Sequence, residues 1–146
     1  MGESKKSLRQ CTRRLEVDAA HRVMRHESKC RHLHGHRYVI EVTAGAEALD
    51  DLGRVVDFGV IKSVFGSWLD EKWDHGTIVN EFDVSLIRLC KEEGWKYYTL
   101  KGNPTAENMA KYLHGVAGRL MKPYGVVVMK IRVYETPNCW ADYEEM

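Results

Sequence analysis

Residues 34–44, HGHRYVIEVTA, alternate almost without a break. His34, His36, Tyr38, Ile40, Val42 and Ala44 share one parity, Arg37, Glu41 and Thr43 take the other, and only Val39 is out of pattern. Residues 13–21, RRLEVDAAH, behave alike, with Leu15, Val17, Ala19 and His21 set against Glu16 and Asp18. Successive side chains of a strand point to opposite faces, so each run is a half-buried strand with one covered side. Two such runs in succession commit the chain to a sheet that something must cover.

The period then changes. In residues 58–73, FGVIKSVFGSWLDEKW, the apolar positions Val60, Ile61, Val64, Phe65, Trp68 and Leu69 recur at helical spacing, and Asp57 is placed to cap the helix. A short helix is expected over Val84 to Glu93, ended by Gly94, with a strand-like WKYYTL after it. NPTAEN opens a second long helix. Pro104 suits its first turn, and Ala106, Ala110, Leu113, Ala117 and Leu120 make its inner stripe. Residues 126–135, VVVMKIRVYE, form the last strand, with Val127, Met129, Ile131 and Val133 inward. Strands with inserted helices argue an α+β fold on an antiparallel sheet. The 146 residues show no internal repeat or linker, so residues 1–12 read as a flexible N-terminal tail and 13–146 as a single domain.

Charge and hydropathy exclude several classes. The net charge of +1 gives no global field for nucleic acid or an acidic membrane. No apolar run approaches the roughly 20 residues that span a bilayer. MGESKKSLRQCTRR is neither a secretory signal nor a myristoylation site. The four cysteines, Cys11, Cys30, Cys90 and Cys139, are scattered without a CxxC pair. A cytoplasmic protein is the expectation.

Within CRHLHGH, residues 30–36, His34 and His36 point the same way, about 7 Å apart by strand rise. His21 ends the preceding strand on its apolar parity. If the two strands pair, three imidazoles converge, and three neutral imidazoles with one open position are a catalytic zinc set. His32 shares the parity of His34, so HxHxH is a competing set, and Cys30 as a fourth ligand would make a closed structural site. His26, His32 and His114 otherwise read as ordinary hydrogen-bonded histidines. Cys30 is the one cysteine beside the histidine cluster, where a thiol is placed for base or nucleophile chemistry. Glu135 continues the inward parity of its strand. It is either a solvated strand end or a carboxylate that accepts two parallel donors from a guanidine-like edge. Asp74 and His75 are adjacent in KWDHGTIVN, and Glu107 lies in the first turn of the second long helix, where the helix dipole alone would favour it.

These residues carry a resemblance. AAHR at 19–22, C-x3-HGH at 30–36, VVDF at 55–58, WDH at 73–75, NPTAEN at 103–108 and ETP at 135–137 occur in order. Together they resemble the 6-pyruvoyl-tetrahydropterin synthase family, over about residues 13 to 143. The three-residue gap between Cys30 and His34 is most similar to the 6-carboxy-tetrahydropterin synthase branch of 7-deazaguanine (queuosine precursor) synthesis. The resemblance implies a tunnelling (T) fold, an antiparallel sheet with two long helices on one face, closed into a barrel by several copies, often a hexamer with active sites between subunits. It implies zinc on His21, His34 and His36, and Cys30 as a thiolate that moves side-chain protons. It further implies Asp74 and His75 as the second acid–base pair, Glu135 as the anchor of the pterin edge and Glu107 as a further pterin contact. The implied substrate is 7,8-dihydroneopterin triphosphate. The implied products are 6-carboxy-5,6,7,8-tetrahydropterin, acetaldehyde and triphosphate.

Other outcomes of the same groups are 6-pyruvoyl-tetrahydropterin synthesis, a pterin aldolase and a non-catalytic zinc- and pterin-binding subunit. The last of these would need neither Cys30 nor Asp74 and His75. Two departures from the family pattern stand out: Trp73 where leucine is usual, and a longer segment EFDVSLIRLCKEEGWKYYTLKG. Glu27, near Cys30, resembles a glutamate that is catalytic in a variant branch, and with the cysteine present it reads as secondary.

Overall fold

A computed structural model describes residues 8–145. Six strands form one sheet in the order β4-β3-β1-β2-β5-β6. β1 (Arg9–His21) pairs antiparallel with β2 (His34–Ala46), β2 with β5 (Val127–Thr136), and β5 with β6 (Cys139–Glu144). β3 (Gly76–Asn80) and β4 (Tyr97–Leu100) join in parallel beside β1, so the sheet is mixed rather than wholly antiparallel.

The inward parity of β1 and β2 is the expected one: Leu15, Val17, Ala19 and His21 are buried, as are Tyr38, Ile40, Val42 and Ala44. The helices cover this face. Asp57 caps the first by accepting from the Gly59 N–H, and α1 (Phe58–Ile61) runs through a π segment, Lys62–Gly66, into α2 (Ser67–Lys72). It buries Ile61, Phe65 and Leu69 in one cluster with α4 (Ala106–Met121). Each large apolar side chain so buried contributes about 1.5–3 kcal/mol.

Several sequence expectations shift. Residues 9–12, expected in the tail, belong to β1, where Arg9↔Ala46 and Cys11↔Ala44 pair; residues 1–7 lie outside the described residues. Thr105 caps α4, so Pro104 lies just before the cap rather than in the first turn. The inner stripe of α4 ends on Met121, with Leu120 only partly buried. In β5 the register slips between Thr43 and Ala44 of β2, which leaves Met129 as the extra residue of a bulge. Val127 is therefore 61% exposed, and Val128 takes the inward place. Gly45 makes room for the bulge, since a Cβ there would stand 2.2 Å from Met129 Sδ.

The extra-long segment forms α3 (Val84–Glu93) and β4. Asp83 caps α3 and Gly94 ends it at φ 69°. It has a small core of its own, Val79, Leu86 and Cys90, and is tied back by the Arg22–Asp83 ion pair, whose Nε–Oδ2 distance is 2.6 Å. Among the described residues no helix is long and apolar enough to cross a membrane.

Candidate metal and acid–base site

The β1–β2 register sets His21 opposite His34, and Ala19 opposite His36. Opposed residues of an antiparallel pair share a face, so the three rings meet. Their centroids lie 4.7 Å (His21–His34), 5.1 Å (His21–His36) and 4.8 Å (His34–His36) apart. One ligand atom from each, and one oxygen of Glu135, lie within 4.8 Å of one another.

The protein also fixes which nitrogens point inward. His21 Nδ1 lies 2.7 Å from the Pro104 carbonyl oxygen, and His34 Nδ1 lies 2.6 Å from that of His32. A carbonyl only accepts, so both Nδ1 atoms carry the proton and both Nε2 atoms present lone pairs. This is how ligating histidines are oriented in metal sites. The Nε2 atoms of His21 and His36 are buried with no hydrogen-bond partner among the described residues. Burial, above all, pushes the pKa of both rings below the ordinary 6.5, against the attraction of Glu135, so both are neutral at pH 7. Neutral imidazole is the ligating form, and the donor set fits a divalent cation such as zinc.

The loop after β1 places the cysteine. Cys30 sits in a single 3₁₀ turn, Lys29–Arg31, and its carbonyl accepts from the Val23 N–H at 2.9 Å. Asn103 clamps the same loop: its Oδ1 accepts from the Met24 N–H at 2.9 Å and its Nδ2 donates to the Met24 carbonyl at 3.1 Å. Residues 103–105 thus hold the cysteine loop, orient His21 and cap α4. The sequence expectations missed Asn103 and the Pro104 carbonyl, although both lie in a quoted motif.

Tyr38 was also missed as a site residue. It is 1% exposed, stands edge-on to His21 and His36, and its hydroxyl has no partner among the described residues. Burial, and then the nearby Glu135 and Cys30, push the phenol far above its usual value.

Asp74 and His75 do form a dyad, with Asp74 Oδ2 2.7 Å from His75 Nδ1. Asp74 Oδ1 also accepts from the Asp18 N–H at 2.9 Å. Burial opposes ionisation of Asp74, but the hydrogen bonds from Asp18 and His75 and the nearby Lys96 charge together hold it below the ordinary carboxylate value. His75 stands at φ 60°, a left-handed backbone that is uncommon for a residue with a Cβ, and is held there by its N–H to the Asp18 carbonyl at 2.7 Å. Its side chain is 78% exposed. It opens on a cavity of about 720 Å³ whose lining includes Asp18, Gly35, His36, Arg37, Trp95 and Lys96. Among the described residues neither member of the dyad is one of the groups whose ligand atoms converge with the three histidines. Trp73, just before it, is core.

Glu107 is exposed in the first turn of α4 and makes no contact with the cluster among the described residues. Glu27 is 88% exposed beside His26. His32 is exposed, and His114 Nε2 is satisfied at 2.9 Å from the Val128 carbonyl oxygen.

Comparisons with known proteins agree with this geometry. A family model described as 6-pyruvoyl tetrahydropterin synthase matches residues 10–146. The chain is similar to a 6-carboxy-5,6,7,8-tetrahydropterin synthase of Rickettsia bellii, 45% identical over 90% of this chain and 97% of that protein. It is similar to one of Aquifex aeolicus at 32% identity over 81% and 77%. In fold it resembles the uncharacterized protein WS1659 of Wolinella succinogenes, with a TM-score of 0.83 at 22% identity over 96% and 99% of the two chains. It also resembles the 6-pyruvoyl tetrahydropterin synthase of Caenorhabditis elegans, with a TM-score of 0.68 at 24% identity over 99% and 100%.

Proposed function

The chain belongs to the 6-pyruvoyl tetrahydropterin synthase family, and we propose that within it the protein is a 6-carboxy-5,6,7,8-tetrahydropterin synthase. It takes 7,8-dihydroneopterin triphosphate to 6-carboxy-5,6,7,8-tetrahydropterin, releasing acetaldehyde and triphosphate, and serves 7-deazaguanine synthesis in the cytoplasm. The observation that carries this reading is the convergence of three imidazoles, one buried and two half-buried, on the Glu135 carboxylate, with Cys30 in the loop that follows β1. The names of the similar proteins and the three-residue gap between Cys30 and His34 favour the carboxy branch over 6-pyruvoyl-tetrahydropterin synthesis.

Zinc held by His21, His34 and His36 would supply Lewis acidity toward the oxygens of the substrate side chain. The chain's own groups do the rest. Glu135 offers two acceptor oxygens to the parallel donors of the pterin edge, the 2-amino group and the adjacent ring N–H. That fixes the ring and places its side chain over the histidines. Cys30 Sγ takes and returns protons on one side of the side chain. On the other, His75 Nε2 does so, with Asp74 holding the Nδ1 proton and so leaving Nε2 as the base.

Among the described residues no hydrogen bond or ion pair joins the dyad to Cys30 or to the three histidines. The reading therefore has a homo-oligomer, a hexamer, in which the dyad of one copy serves the histidine cluster of another. Two sheet edges suit this closure: most of β1, which β3 pairs only at Ala19–His21, and β6.

Mass-spectrometric product analysis with 7,8-dihydroneopterin triphosphate tests the proposal. 6-Carboxytetrahydropterin with acetaldehyde supports it. 6-Pyruvoyl-tetrahydropterin as the product would move the protein to the other branch.

A further inference from the structure

Glu135 is claimed twice at this site. Its Oε1 lies 3.1 Å from His36 Nε2 and 3.9 Å from His21 Nε2. Neither nitrogen is hydrogen-bonded. The His21 proton is already spent on Pro104, so its Nε2 turns a lone pair toward the carboxylate. The His21 lone pair thus faces a carboxylate, and His36 Nε2 stands 3.1 Å from the same oxygen without a hydrogen bond; a cation among them turns these unsatisfied groups into a coordination set. By donor chemistry, then, Glu135 would be a fourth ligand to a cation held by the three histidines. Yet anchoring a pterin edge takes both oxygens of the same carboxylate. An oxygen on the metal cannot also accept from the pterin, so the two roles exclude each other in time.

The backbone allows the exchange. Glu135 sits where the β5–β6 register breaks, between Tyr134 and Thr136, and its side chain is 26% exposed. It lies at a bulge, a device that re-aims a side chain.

We propose that Glu135 is a displaceable metal ligand: it closes the fourth coordination position while the site is empty of pterin, and the pterin edge pulls it away. The substrate ring thereby opens the position that its own side chain needs. This rests on the reading above of the histidines as a metal site and of Glu135 as the pterin anchor. One consequence is positive coupling: anything that binds the open position and anything that binds as a pterin ring strengthen each other, by the same factor in both directions.

The test uses the intact protein loaded with Co²⁺, whose visible absorption reports its ligands. Azide is the probe of the open position, and unsubstituted pterin, with no side chain to reach the metal, is the probe of the anchor. Wild type is expected to bind azide weakly, and saturating pterin to tighten azide binding by about tenfold or more, a coupling within the usual range. Glu135→Ala is expected to bind azide at least as tightly without pterin as wild type does with it, and to ignore added pterin. Equal azide affinity in wild type and Glu135→Ala, or pterin that leaves azide binding in wild type unchanged or weaker, overturns the proposal. The wild-type measurement stands alone should the variant not fold. Failure of the underlying reading has a different signature: no stoichiometric Co²⁺ uptake, or no fluorescence change of pterin on binding. Either would remove the proposal along with that reading.

Discussion

The His21 Nδ1–H donates to the Pro104 carbonyl at 2.7 Å, across 83 residues of chain. One hydrogen bond ties the end of β1 to the entry of α4 and decides which nitrogen of His21 looks into the cluster. The ring then acts as a ligand because its position, its tautomer and its charge state are all set by neighbours. His21→Ala should therefore lose metal affinity by more than the 10- to 100-fold typical of an outer-shell partner, that is, about 10²-fold or more. Chelator competition measures it. A variant that holds zinc as tightly as wild type would mean that the three rings are not the ligands.

Cys30 is assigned proton transfer and no part in holding the metal. Cys30→Ala should keep its fold and its metal content while turnover falls by about 10²-fold or more, the usual scale for an acid–base group. Metal analysis beside steady-state kinetics separates the two effects. Loss of metal in the variant would make Cys30 a ligand, and near-normal turnover would leave it without a role.

Asn103 is placed to matter for the same chemistry from a distance. Its amide pairs with both the N–H and the carbonyl of Met24, in the loop that carries Cys30. Asn103→Ala leaves both backbone groups without those bonds and should cost about 1–3 kcal/mol in urea unfolding. Asn103→Asp should not rescue, since it sets an oxygen against the Met24 carbonyl where a donor stood. Full recovery of stability with aspartate would contradict the clamp.

The histidines also set a pH dependence for the metal-free protein. Burial holds His21 and His36 below 6.5, so in the window between their folded values and 6.5 the unfolded chain binds more protons than the folded one. Stability rises with pH across that window. The contribution is fully present above about 6.5 and is lost as pH falls through the folded values. Denaturant midpoints of the metal-free protein should fall from about pH 7.5 to about pH 5.5, and less so in His21→Gln. A flat profile would mean that the rings titrate normally.

Much of this was legible in the sequence, and the exceptions have physical reasons. The parity of His21, His34 and His36 survived intact, because β1 and β2 pair without a register break. β3 went unread because Gly76–Asn80 is buried at every position, so it shows no alternation to read. β6 is short and mostly exposed, and its one buried side chain, Ala141, is too small to mark an inner face. A one-residue bulge at Met129 exchanged Val127 for Val128 on the inner face, and bulges leave no mark on composition. The roles of Pro104 and His32 pass through backbone carbonyls, which no side-chain pattern encodes. Sequence spacing brought the Asp74–His75 pair to notice, but only the fold shows that neither residue is among the described groups that converge with the three histidines.

The central claim is that three imidazoles meet on one metal through their Nε2 atoms. Anomalous diffraction at the zinc edge from crystals of the zinc-loaded protein tests it most directly. The expected result is a single strong peak at roughly 2.0–2.1 Å from Nε2 of His21, His34 and His36. A peak held by His32, by an Nδ1 atom or by Cys30 as a closed fourth ligand would contradict it.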